Sequence, residues 1–97
     1  PPGVRVQCST GYQSRTLASA DGKLLIAYVR NVGGLLPQNV RTRTACPLRV
    51  TLAQSTGAWQ VWDLDDRRVV RTVKTTGARV LDLGVTDHDF ALVFRGR

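Results

Sequence analysis

Apolar and polar positions alternate along most of this chain with a period of two. Leu48-Arg49-Val50-Thr51-Leu52 is the cleanest case. Its three aliphatic side chains fall on one side and Arg49 and Thr51 on the other, as a half-buried strand requires. Val4-Arg5-Val6-Gln7-Cys8 alternates in the same way and reads as an edge strand. Residues 23–30, KLLIAYVR, are apolar on both faces: Leu24, Ile26 and Tyr28 on one, Leu25, Ala27 and Val29 on the other. That pattern predicts a strand inside a sheet with both sides covered. Further short strands are expected over 15–19, 79–83 and 90–94, with a short extended piece over 40–44.

The chain is organised around residues 57–73, GAWQVWDLDDRRVVRTV. An aromatic arm, an acidic and basic turn and a β-branched arm together predict a β-hairpin, and no apolar stripe of helical period can be laid across it. In a strand Trp59 and Val61 share one face and Trp62 takes the other. One indole is therefore expected in the core and the second on an outer or interdomain face. Asp21-Gly22 predicts another hairpin between two apolar runs. Loops are expected over 31–39, which holds Gly33, Gly34 and Pro37, at Thr75-Thr76-Gly77 and at Thr86-Asp87-His88-Asp89. The sum is an all-β chain: an antiparallel β-sandwich of about eight short strands, or a small barrel, in a single domain over 1–97.

Composition narrows the class. Ninety-seven residues, 42% apolar, support one core without obligatory crosslinks. No apolar stretch is long enough to span a bilayer and no signal peptide is evident. The chain opens at Pro1-Pro2-Gly3 and holds no methionine, which suggests a processed chain or a piece of a longer polypeptide. The net charge is +7, with twelve arginines, two lysines, seven aspartates and no glutamate. Such a charge attracts nucleic acid, anionic polysaccharide or an acidic partner domain. The arginines are scattered, however, and no basic run interleaved with aromatics follows a phosphate backbone, so nucleic acid is not the expected partner. Cys8 and Cys46 are too few for a zinc site; they form one disulfide or stand as two buried thiols. A disulfide would close a loop of roughly 38 residues, worth about 3–4 kcal/mol.

No catalytic set stands out. Asp63, Asp65 and Asp66 crowd one turn, where they are expected to face water together and not to straddle a glycosidic bond. A calcium site on those oxygens is the lesser alternative. His88 sits in a surface turn between Asp87 and Asp89, without a partner evident in sequence. No serine has an activating motif, and Gly33-Gly34 lacks the lysine and helix of a phosphate loop. No metal or cofactor is expected. Trp59, Trp62, Tyr28 and Tyr12 are the side chains suited to stack on a sugar ring or anchor a partner; core packing is the competing use of each.

In their order, ADGKLLIAYVRN, PLRVTL, the tryptophan hairpin and TGARVLDLGVTDHDFALVF resemble one family. It is the C-terminal β-sandwich module that follows the TIM barrel in many glycoside hydrolases, including the module described as collagen-binding. The resemblance covers about residues 17–94. It rests on Tyr28 near an Asp-Gly turn, the alternation over 48–52, Trp59 to Asp63, and Asp89 to Phe94. The chain departs from that pattern at Leu64-Asp65-Asp66-Arg67, where the family turns on Pro and Gly, and at Phe90, where tryptophan is common. The loop over 31–47 is also longer than usual. The resemblance implies a non-catalytic accessory domain of a secreted, extracellular or lysosomal-type glycoside hydrolase. Its catalytic carboxylates would lie in the barrel on which this chain packs, and it would assist carbohydrate binding. A free-standing basic module for an anionic polysaccharide or other acidic partner is the alternative. Leu17 to Gly22 and Val61-Trp62-Asp63-Leu64 also resemble WD-repeat propeller blades, although 97 residues supply too few blades and no repeat period is evident.

Overall fold

Trp59, 0% exposed, lies at the centre of a core contributed by two antiparallel sheets. The computed structural model describes residues 4–7, 11–35, 41–53 and 56–96. Ten strands are described: β1 (Val4–Gln7), β2 (Tyr12–Ala18), β3 (Leu24–Asn31), β4 (Gly34–Leu35), β5 (Arg41–Thr42), β6 (Cys46–Leu52), β7 (Gly57–Asp63), β8 (Arg68–Thr75), β9 (Arg79–Thr86) and β10 (Phe90–Gly96). The three-stranded sheet has the order β1-β6-β9, the five-stranded sheet β2-β3-β10-β7-β8, and β4 and β5 pair as a small ribbon. No helix occurs among the described residues. The chain is thus all-β and sandwich-like, as the alternation predicts. Consecutive strands pair only as β2–β3, β4–β5 and β7–β8; β6 lies between β1 and β9, and β10 between β3 and β7. Two propeller blades would each be a meander of four sequential strands, which this order is not.

The inward positions are those of the sequence pattern. Leu48, Val50 and Leu52 of β6 and Leu81 of β9 meet Leu25, Ala27 and Val29 of β3, Trp59 and Val61 of β7, Val73 of β8, and Phe90, Leu92 and Phe94 of β10. Trp59 and Phe94 face each other across the β7–β10 ladder with ring centroids 4.9 Å apart and planes tilted by 46°. Beneath the Phe94 ring lies Gly57; a Cβ there would run into that ring and the Arg95 carbonyl. Glycine opens β7 because a second bulky element needs the space a side chain would take.

Two expectations change. The strand over 24–31 is interior to its sheet, but the described residues cover only one of its faces: Leu24 and Tyr28 are exposed and Ile26 half-buried. Of the piece expected over 40–44, Arg41 and Thr42 pair with Gly34–Leu35, within the predicted loop, and not at the edge of a main sheet. Cys46 is buried and disulfide-bonded. Cys8, its expected partner, lies outside the described residues.

Candidate functional site

The tryptophan hairpin resolves which indole goes where. Register pairs Trp59 with Val73 and Phe94 on the inner face, so Trp62, three residues on, points outward, where it is 37% exposed. Trp59 is a core residue, out of reach of any ligand. Trp62 pairs with Ala91, Ala91 pairs with Tyr28, and Tyr28 pairs with Arg15. One cross-strand row on the outer face of the five-stranded sheet therefore runs Arg15, Tyr28, Ala91, Trp62, Val69. Ala91 has the smallest side chain of the row and leaves a dip between two rings about 10 Å apart, two strand spacings. Tyr28 is 43% exposed. The next row, Leu17, Ile26, Val93, Gln60 and Thr72, extends the same apolar surface.

Charge on that face has one sign. Arg15, Arg30, Lys74 and Arg95 are its charged strand residues, all exposed, and no acidic residue occupies an outward paired position there. Arg30 pairs with Gln13, so it lies diagonally beside Arg15 on the neighbouring strand. The two arginines and Tyr28 border an open depression of about 430 Å³. Asp89 also borders it, but its carboxylate accepts the Asn31 amide at 2.7 Å and pairs with Arg43 at 3.4 Å.

The acidic turn is arranged differently from the sequence expectation. Asp63 ends β7 on the inner face and is buried, not facing water with Asp65 and Asp66. One of its oxygens accepts the amides of Asp65 and Asp66 at 3.0 and 2.9 Å; the other lies 2.8 Å from His88 Nδ1. Burial pushes the Asp63 carboxyl up, but the amides and His88 outweigh it and hold it below the usual carboxylate range. The hydrogen bond that His88 Nδ1 makes to the Asp63 carboxylate, reinforced by that group's charge, raises His88 above its ordinary value. His88 is thus tied to a residue 25 positions away, a partner no local motif signals.

Around this pair the loops are knotted by polar bonds. Arg43 meets Asp65 at 2.8 Å, and the Asp89 amide donates to Asp65 at 2.8 Å. Burial raises Asp65, yet that amide and Arg43 bring it below its usual value. Tyr12 donates its hydroxyl to the His88 carbonyl at 2.6 Å, so it braces a turn and is not a free stacking platform. Asn31 bonds the backbone of Thr44 at 2.9 and 3.3 Å. Asp63, Asp65 and His88 have ligand atoms within 4.8 Å of one another. A cation there would compete with the Arg43 guanidinium and with amides already on those oxygens, so the donor set does not fit a metal. The hollow beside Asp63 is open and walled by Val70, Arg71, Leu83, Val85, Thr86 and Phe90, with no second carboxylate among the described residues that line it.

Neither models of known protein families, nor curated proteins, nor solved structures give a match to this chain.

Proposed function

We propose that this chain is a non-catalytic accessory β-sandwich of a glycoside hydrolase, carried beside a TIM-barrel catalytic domain, and that it contributes a carbohydrate-binding surface. The observation that supports this reading is the exposed Tyr28–Ala91–Trp62 row on a sheet face whose charged strand residues are all basic. The C–H faces of pyranose rings stack on aromatic rings, and two rings held on rigid strands offer that contact without an ordering cost. The acidic groups point the same way. A glycosidase needs one carboxyl raised to donate a proton and a second across the bond. Here Asp63 and Asp65 are both lowered and occupied by amides, His88 and Arg43. The reading goes with a secreted or lysosomal-type setting, where a Cys8–Cys46 disulfide would persist.

The test is a titration of the isolated chain with a panel of soluble polysaccharides, alongside a reducing-end assay. Binding without release of reducing ends is expected. Hydrolysis by the isolated chain, or binding to none of the polysaccharides, overturns the reading.

A further inference from the structure

Alternating outward positions of five strands place aromatic rings and cations in a fixed pattern, and the pattern selects among ligands. Within the row Arg15, Tyr28, Ala91, Trp62, Val69, a cation stands at one end and valine at the other. Arg30 adds a second cation diagonally beside Arg15, at the same end. No ion pair holds Arg15 or Arg30 among the described residues. A polymer lying across the strands would therefore meet two ring-sized platforms and then one pair of guanidinium groups.

We propose that this row is a binding site for an acid-bearing polysaccharide. Two sugar rings lie on Tyr28 and Trp62, and a uronate-type carboxylate is held by Arg15 and Arg30 in the depression beside Tyr28. The inference rests on the reading of this face as a carbohydrate surface and names the ligand class. The one-sided charge of the face disfavours cationic polymers and adds attraction for anionic ones. The fork of a guanidinium matches a carboxylate bidentately. Single-stranded nucleic acid would also stack on such rings, but it carries a phosphate at every residue. A path with cations at one end and Val69 at the other suits a chain with an acid group on alternate residues better.

The experiment titrates the full 97-residue chain with three probes: hyaluronan, whose uronate alternates with a neutral sugar, the same polymer after carboxyl reduction, and oligothymidylate. Hyaluronan is expected to bind roughly tenfold or more tighter than its reduced form. Arg15→Gln with Arg30→Gln brings the acidic polymer to the level of the reduced one. Tyr28→Ala and Trp62→Ala weaken both polysaccharides by about tenfold or more, and Tyr28→Phe restores binding. The pair Arg49→Gln and Arg79→Gln, on the other sheet, removes equal charge and leaves binding in place. Far-ultraviolet circular dichroism checks that each variant is folded. Equal binding of the two polysaccharides overturns the acidic assignment and leaves the accessory role standing. An equal loss in the Arg49/Arg79 variant overturns it in favour of diffuse charge, and tighter binding of oligothymidylate in favour of nucleic acid. Binding to neither polysaccharide overturns this site, and the panel titration decides the proposed function separately.

Discussion

Trp59 and Trp62 are the same side chain under opposite constraints, three positions apart on β7. Removing Trp59 leaves a cavity between two packed sheets, so Trp59→Ala is expected to cost about 3–5 kcal/mol, measured by urea unfolding. Trp62→Ala, on the outer face, should cost about 1 kcal/mol or less in the same measurement. Gly57→Ala tests the close approach of the Phe94 ring and Arg95 carbonyl; a loss of about 1–3 kcal/mol is expected from overpacking. The period of two told that the indoles part company. It could not tell which goes inward, because either assignment leaves the same alternation, and the register with β10 settles it.

The tryptophan hairpin is closed by a turn in which Arg67 adopts φ 57°, the one positive φ outside glycine among the described residues. An arginine in that region carries a penalty of roughly 1 kcal/mol that glycine escapes. Arg67→Gly is therefore expected to leave stability unchanged or to raise it by up to about 1 kcal/mol, the gain being limited by the greater freedom of glycine in the unfolded chain. A thermal melt of the variant checks this. Asp63 holds the same turn from below by accepting its amides. Asp63→Ala removes three bonds at once and should cost about 1–3 kcal/mol by the same melt. The hairpin itself was legible in its residues, since aromatic and β-branched arms flank a polar centre. Its buried aspartate was not, because the side chain is an Asx-type cap in local terms and a loop anchor only through the turn between β9 and β10.

For the molecule as a whole, the polar end of the sandwich makes stability depend on pH in a defined sense. His88 is raised above its ordinary 6.5, so its contribution is complete below that pH and is lost as pH rises through the folded value. Asp63 and Asp65 are held below 3.8, so their contribution is present above that pH and disappears as pH falls through their folded values. Arg43, Asp66 and Asp87 also face this cluster; Arg43 stays charged throughout. Melting temperatures measured across pH are expected to form a plateau between these limits. His88→Asn keeps a donor for Asp63 without a titrating group, and should flatten the alkaline limb while leaving the acid limb in place.

The main strands, their inner faces and the fold class follow from local alternation, because a pleated strand with one buried side imposes a period of two on its own residues; β4, two residues within the expected loop over 31–39, left no such mark. Leu48, Val50 and Leu52 needed no partner to be recognised as core. Pairing across 25 to 76 positions leaves no such mark: Asp63 with His88, Tyr12 with the His88 carbonyl, and the row joining Arg15 to Trp62 exist only once β10 lies between β3 and β7. The apolar outer face of β3 shows the same division. Its residues announced a covered surface, whereas Leu24 and Tyr28 stand exposed there because the described residues of the second sheet pack only on the opposite face.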